Sequence, residues 1–152
     1  MSAVNGNVLH LDLIDTEGKE FALQSGRATF VYFMRAPTCQ QCNSAVRKLA
    51  AKRDTLRGQG VDVVIALPTG TDDAVAWKTA KSVPLDVVTG RTGTAHEEAG
   101  LLRRVFGLIQ QSGGILLDAN GVVRYSHIVT NPGDSLRLQE LEEAIANMPV
   151  SR

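Results

Sequence analysis

Continuous apolar runs and apolar residues at helical spacing alternate along the chain. Runs rich in aromatic and β-branched residues are typical of buried strands, whereas apolar residues that recur every three or four positions predict amphipathic helices. The runs predict a hairpin with arms at 8–14 and 21–23 and strands at 29–34, 61–67, 85–88, 115–118 and 122–128, and the helical spacing predicts helices at 39–58, 72–81, 94–107 and 138–148. This order predicts a layered α/β protein.

Local signals indicate where some of these elements begin. Asn120-Gly121, between two strand-like runs, is a strong hairpin signal. Thr38 with Gln41, and Thr94 with Glu97, fit capping boxes, in which two side chains satisfy unpaired backbone N–H groups at a helix start. The first box predicts that Thr38 caps the helix that follows the strand at 29–34.

Length and charge narrow the class of protein. A chain of 152 residues suits a single domain, 1–152, that buries a core without disulfide staples. Lys plus Arg and Asp plus Glu number 16 each, which gives no reason to expect a nucleic-acid or membrane partner. Residues 1–6 lack the basic and apolar regions of a secretion signal, so we expect a cytoplasmic protein.

The chain has two cysteines, Cys39 and Cys42, and both lie where the strand at 29–34 leads into the next helix. The unpaired N–H groups and partial positive charge of a helix start favour an anion such as a thiolate, which is the reactive form of cysteine. Two thiols at this spacing can also close a disulfide after one has attacked a substrate. In a reducing compartment such a pair is more often catalytic or redox-sensing than a permanent staple.

Two other interpretations of the cysteine pair stay open. A structural zinc site needs four ligands, and the remaining candidates His10, His96 and His127 are far apart in the sequence, so neither a metal nor another cofactor is expected. Alternatively, both cysteines pack as inert small hydrophobes, although a capped helix start tends to expose its first residues.

Two further side chains are assigned structural roles. His96 has no sequence neighbour with which to form a catalytic pair, so we expect it to be an exposed helix residue. Trp77, the only tryptophan, is expected to pack in the core rather than to bind a ligand.

The order of elements around the CxxC resembles the thioredoxin-like fold. The N-terminal hairpin, the run at 83–88 and the segment Gly113-Gly114-Ile115-Leu116-Leu117-Asp118-Ala119-Asn120-Gly121-Val122-Val123 are similar to the peroxiredoxin branch, the alkyl hydroperoxide reductase and thiol-specific antioxidant superfamily. Gln111-Ser112-Gly113-Gly114 with Gly133-Asp134 is similar to peroxiredoxin-like proteins that often keep a CxxC. The resemblance implies an α/β, thioredoxin-like three-layer fold whose central mixed sheet carries the N-terminal hairpin and is flanked by helices. It also implies an antioxidant oxidoreductase, frequently a homodimer.

Several supporting positions differ from the peroxiredoxin pattern. Aligned on Cys42, the motif Pro-x-x-x-Thr-x-x-Cys has its Pro at Arg35 and its Thr at Cys39. The Arg that the family keeps before its Gly-x-Phe-Ile-Ile-Asp segment falls on Ser112. The groups that polarise a peroxide in that family are therefore absent from their usual positions.

The thioredoxin pattern is also only partly matched. A thioredoxin has Trp-Cys-Gly-Pro-Cys and a cis-Pro near position 112, whereas Gln40-Gln41 fills the pair here. The order of attack therefore stays open. In a thioredoxin-like reaction Cys39 attacks and Cys42 resolves; in a peroxiredoxin-like reaction Cys42 becomes a sulfenic acid and Cys39 condenses with it.

We predict a thiol oxidoreductase in which Cys39 and Cys42 cycle between dithiol and disulfide, with a peroxide or disulfide substrate and a thiol reductant. Arg35 is expected to support a thiolate by charge and Thr38 by hydrogen bonding, although capping alone is a sufficient role for Thr38. The alternative is a non-enzymatic redox sensor or adaptor with this fold, whose disulfide state alters binding to a partner protein.

Overall fold

The computed structural model describes residues 4–23, 26–104 and 109–148. The strands are β1 (Leu13–Asp15), β2 (Glu20–Phe21), β3 (Ala28–Phe33), β4 (Val61–Ala66), β5 (Asp86–Gly90), β6 (Arg103–Arg104), β7 (Ile109–Gln110), β8 (Ser112–Leu117) and β9 (Val123–Val129). Among the described residues, a seven-stranded sheet has the order β2-β1-β5-β4-β3-β8-β9, and β6 pairs with β7 separately. The central β3 is parallel to β4 and antiparallel to β8, so the sheet is mixed as predicted.

The helices are α1 (Gln40–Ala51), α2 (Arg53–Gly58), α3 (Thr71–Lys81), α4 (Ala95–Ala99) and α5 (Leu138–Ala146), and a 3-10 helix covers Pro132–Asp134. The single helix predicted at 39–58 is in fact two helices. The chain turns at Lys52, where the backbone (φ −94°, ψ 0°) ends α1 and precedes α2. This turn directs Leu56 into the core, where it is buried.

The side chains of β3 divide the core into two layers. Phe30 and Tyr32 pack on the face covered by α1, α3 and α5, which we call the α1 face. Val31 and Phe33 pack on the opposite, α4 face. This alternation follows from the two-residue period of a strand. Because every residue of β3 is buried, the strand ends between two packed layers, and the loop that follows it can contact both.

The predicted hairpins are confirmed. Leu13 of β1 pairs with Phe21 of β2, and β1 also joins the main sheet by pairing antiparallel with β5. The arms of this hairpin are shorter than predicted. Between β8 and β9, Gly121 has a φ of +79°, the left-handed conformation that makes glycine favourable in such a turn.

The helix predicted from Thr94 towards Phe106-Gly107 is wrong in its length. It ends at Ala99, because Gly100 adopts the left-handed conformation (φ +86°) that terminates helices. The chain then enters the short strand β6, and Phe106-Gly107 lie outside the described residues. None of the helices in the described ranges is both long and apolar enough to cross a bilayer.

Candidate functional site

Cys39 caps α1. Its backbone is extended (φ −71°, ψ 112°), and its Sγ accepts a hydrogen bond from the backbone N–H of Cys42 at 3.2 Å. The prediction that Thr38 is the cap is therefore wrong by one residue, and Thr38 is exposed. The sulfur reaches the third N–H of the helix as a Ser or Thr oxygen would in an ordinary cap.

Cys42 lies in the first turn of α1, and its sulfur also accepts a backbone hydrogen bond. The donor is the N–H of Arg35, with a nitrogen–sulfur distance of 3.4 Å. Both cysteines are free thiols. Because each Sγ faces an amide N–H, each stands where a negative charge is stabilised.

Both thiols are buried, which contradicts the expectation that a helix start exposes its first residues. Cys39 is 1% exposed and Cys42 is not exposed at all, because both side chains join the core of the α1 face. Their sequence neighbours Thr38, Gln40 and Gln41 are exposed, so the buried sulfurs belong to a helix turn that is otherwise at the surface. A substrate therefore reaches the sulfurs only if this turn is displaced.

The two sulfurs differ in their electrostatic surroundings. The pKa of Cys42 is raised to about 11, first by burial and then by its hydrogen bond with Cys39. The Arg35 N–H and the Tyr32 hydroxyl lower this pKa without compensating for the burial. Cys42 consequently keeps its proton at neutral pH, whereas the Cys39 sulfur is the cap atom at the start of α1.

Asn43 fixes the backbone around the cysteines from inside the core. Its Nδ2 donates to the carbonyl oxygens of Pro37 (2.9 Å) and Cys39 (2.8 Å), and its Oδ1 accepts from Trp77 Nε1 at 2.9 Å. Trp77 is buried as predicted, but its bond to Asn43 was not expected. No local pattern reveals this contact, because Asn43 and Trp77 are 34 residues apart.

A pair of buried hydroxyls lies beneath Cys42. The Tyr32 hydroxyl is 2.6 Å from Ser135 Oγ, and Ser135 donates to the carbonyl of Pro132 at 2.7 Å. The Tyr32 hydroxyl also lies beside the Cys42 sulfur, where it lowers the pKa of that thiol. Neither hydroxyl was predicted from the sequence.

His96 was expected to be exposed, but it is completely buried on the α4 face. Its Nε2 lies 2.6 Å from the carbonyl oxygen of Met34, and its ring packs edge-on against Phe33 with centroids 5.2 Å apart. Burial lowers the pKa of His96 to about 4, so the imidazole is neutral at pH 7. The short helix α4 turns its second residue inward because the sheet lies directly beneath it.

The remaining site predictions fall on Arg35, Thr38 and Ser112. Arg35 contacts Cys42 through its backbone N–H rather than its charge, and its Nε is buried without a hydrogen-bond partner among the described residues. Ser112, at the start of β8, is also buried, and its Oγ likewise has no partner in the described part of the chain. The described ranges contain no cluster of three or more His, Cys, Asp or Glu residues that could hold a metal ion.

Comparisons with known proteins relate this geometry to a family. Residues 4–126 match the model of the AhpC/TSA family. Among solved structures, a peroxiredoxin-like protein from Aquifex aeolicus superposes with a TM-score of 0.77 and 13% identity over 94% of this chain and 85% of that one. AhpC from Enterococcus faecalis gives a TM-score of 0.77 and 14% identity over 96% and 92%. A thiol peroxidase from Chromobacterium violaceum gives a TM-score of 0.73 and 15% identity over 96% and 87%.

These structural similarities confirm the thioredoxin-like, peroxiredoxin-branch fold. At such identities they establish the fold alone, and roles for individual residues have to be argued from this chain's own contacts. Comparison with curated proteins finds no match.

Proposed function

Because the chain belongs to the AhpC/TSA family, we propose that it is a thiol peroxidase-like oxidoreductase in which Cys39 and Cys42 cycle between dithiol and disulfide. The observation that carries this proposal is the position of the Cys39 sulfur, which caps α1 and lies 3.2 Å from the backbone nitrogen of Cys42. The cap holds a nucleophile at a helix start and places the second thiol one turn away.

Cys39 is the attacking residue in this proposal. Its thiolate accepts the Cys42 N–H and stands at the positive end of α1. Cys42 is fully buried and its pKa is raised, so it is held as a protonated thiol until it resolves the intermediate. This order is that of a thioredoxin, on a chain whose family is that of the peroxiredoxins.

With a peroxide, the Cys39 thiolate attacks the nearer oxygen and the O–O bond breaks. Cys39 becomes a sulfenic acid, and the second oxygen leaves as water or an alcohol after taking up a proton. Cys42 then loses its proton and attacks the Cys39 sulfur, so that the S–S bond forms while hydroxide leaves and is protonated to water. With a disulfide substrate, the leaving group of the first step is a thiolate instead.

A thiol reductant has to return the disulfide to the dithiol, since the cycle consumes two electrons for each peroxide. We propose that the protein works in the cytoplasm, where such reductants keep thiols reduced. Besides the two thiols, the cycle requires no cofactor.

Single cysteine variants test which residue attacks. In Cys42→Ser, we expect Cys39 to form a persistent mixed disulfide with a model disulfide, and a sulfenic acid with hydrogen peroxide that dimedone traps. In Cys39→Ser, both products are expected to form far more slowly. Peptide mapping by mass spectrometry identifies the modified residue. The variant with both cysteines replaced by serine measures the background signal. Trapping on Cys42 in preference to Cys39 would reverse the proposed order.

The burial of both sulfurs favours a second candidate function, a redox sensor whose disulfide state alters binding to a partner protein. In a sensor, opening of the first turn of α1 limits oxidation, so the disulfide forms slowly and without turnover. Steady-state peroxide consumption with dithiothreitol as reductant separates the two functions. Sustained consumption supports the enzyme, whereas a single slow oxidation supports the sensor.

A further inference from the structure

The peptide group between Met34 and Arg35 is hydrogen-bonded on both faces of the sheet. Its carbonyl oxygen, on Met34, lies 2.6 Å from His96 Nε2 on the α4 face. Its N–H, on Arg35, donates to Cys42 Sγ on the α1 face at 3.4 Å. One planar peptide unit therefore joins a buried imidazole to one of the two sulfurs.

The direction of the first bond follows from the chemistry of its partners. A carbonyl oxygen can only accept, so His96 Nε2 carries the proton and donates it. His96 Nδ1 is then the unprotonated nitrogen, and it is buried without a hydrogen-bond partner in the described residues. The imidazole is thus held as one neutral tautomer with its donor aimed at Met34.

A donor on the carbonyl side of a peptide strengthens the hydrogen bond that its N–H makes. The C=O and N–H of one amide share a conjugated π system, and consecutive hydrogen bonds through it polarise one another. At the end of β3 this polarisation increases the partial positive charge on the Arg35 N–H. The sulfur that faces this N–H belongs to Cys42.

We propose that His96 is a positioning residue for the cysteine pair, which it serves by orienting and polarising the Met34–Arg35 peptide so that its N–H stabilises the thiolate of Cys42. The proposal rests on the function argued above, in which Cys42 must lose its proton to resolve the Cys39 intermediate. His96 itself does not touch the sulfur, the substrate or the reacting atoms.

A single-turnover reaction with hydrogen peroxide tests the role of His96. Quenching with dimedone at successive times measures the Cys39 sulfenic acid, and mass spectrometry measures its conversion to the disulfide. His96→Phe removes the donor, and we expect conversion to slow by up to about fivefold, so that sulfenic acid accumulates. His96→Gln places an amide donor near the position of Nε2, and we expect it to restore most of the rate.

A matched control separates positioning from a general loss of packing. Leu13→Ala removes a buried side chain from the same α4-face core, in β1, which lies beyond β5 and β4 from β3. We expect this variant to be less stable but to convert the Cys39 sulfenic acid to the disulfide at the wild-type rate. Equal slowing in Leu13→Ala and His96→Phe, or no rescue by His96→Gln, would overturn the proposal.

A second measurement tests the role of His96 when the single-turnover reaction cannot. If wild-type protein forms neither sulfenic acid nor disulfide, the proposed function fails, and the pH dependence of the Cys42 ¹³Cβ chemical shift then tests the positioning role directly. Deprotonation at higher pH in His96→Phe than in wild type and His96→Gln supports the proposal, and identical titrations contradict it. If His96→Phe does not fold, His96→Asn, whose shorter amide does not reach Met34, replaces it.

Discussion

The starts of α1 and α4 are built alike on opposite faces of one sheet. At α4, Thr94 Oγ accepts the N–H of Glu97 at 3.1 Å, and at α1 the Sγ of Cys39 accepts the N–H of Cys42 at 3.2 Å. The first cap uses oxygen and the second uses sulfur, with the same three-residue step. Each first turn also buries a side chain that contacts the Met34–Arg35 peptide, His96 from α4 and Cys42 from α1.

The difference between these two helix starts lies in what the cap atom can do chemically. A threonine hydroxyl stays protonated at any biological pH, so its cap is only structural. In the proposed function, the cysteine sulfur in the same place is the nucleophile, and the helix start favours its negative charge. The fold therefore supplies two caps of the same geometry, and in the proposed function the residue type alone makes one of them a nucleophile.

The largest expected effect comes from replacing the sulfur of the α1 cap by an oxygen, which keeps the capping hydrogen bond. Cys39→Ser keeps a capping oxygen but removes the nucleophile, so we expect the rate of peroxide or disulfide reduction to fall on the order of a thousandfold. Thr94→Ser makes the parallel change at α4 and should leave the rate unchanged. Reductant-coupled turnover assays measure both variants. If Cys39→Ser kept its activity, the sulfur at α1 would have no chemical role beyond that of the Thr94 oxygen at α4.

The burial of His96, in α4, predicts a dependence of stability on pH. The pKa of His96 is lowered to about 4, by burial and by the nearby Arg103, although its bond to Met34 raises it. Between pH 6.5 and 4 the unfolded chain therefore binds a proton that the folded protein does not. The contribution of His96 to stability is complete above pH 6.5, and about 3 kcal/mol of it is lost as the pH falls to 4.

Urea unfolding at a series of pH values measures this loss. The carboxylates that titrate in the same range contribute in every variant, so the comparison is between wild type and His96→Gln, which has no titrating group at this position. We expect the variant's free energy of unfolding to fall less steeply below pH 6.5. Parallel curves would show that His96 is protonated in the folded protein as readily as in the unfolded chain.

A smaller effect is expected from the contact that holds the backbone before α1. Asn43→Ala leaves the Trp77 Nε1–H and two carbonyls without their partner, and we expect the free energy of unfolding to fall by about 2 kcal/mol. Asn131→Ala is the matched control. Its Oδ1 caps the exposed 3-10 helix, so its loss should cost about 1 kcal/mol or less. Equal losses in the two variants would show that the buried Asn43 contacts stabilise the protein no more than an exposed cap does.

The smallest expected effects compare the two caps as structural elements. Cys39→Ala and Thr94→Ala each remove a cap acceptor, and each should lower the free energy of unfolding by about 1 kcal/mol. Cys39→Ser should lose less, because its hydroxyl can accept the same N–H. Denaturant unfolding of reduced protein measures all three. If Cys39→Ala unfolds as wild type does, the sulfur has no capping role.

Patterns within short segments predicted most of the fold. The continuous apolar run at 29–34 predicted the buried central strand, and Asn120-Gly121 predicted the hairpin between β8 and β9. Thr94 was identified as a cap because threonine is a common capping residue. The cap at α1 was misassigned to Thr38, since cap preferences give no reason to favour a cysteine over the threonine beside it.

The parts of the site that the sequence did not reveal depend on distant contacts. His96 is 62 residues from Met34, and Tyr32 is 103 residues from Ser135. Local spacing carries no signal for such pairs, because the sheet order brings them together only after folding. The burial of Cys39 and Cys42 has the same origin, since it is the packing of α1 against the sheet that covers them.

The central claim is that Cys39 and Cys42 form one redox-active pair, and a count of free thiols tests it most directly. The reduced protein is treated with one equivalent of hydrogen peroxide, and thiols and intact mass are followed over time. We predict that both thiols disappear together, that the chain loses the mass of two hydrogen atoms, and that dithiothreitol restores both thiols. Two thiols that persist, or that oxidise separately to sulfinic or sulfonic acids without a disulfide, would contradict the account.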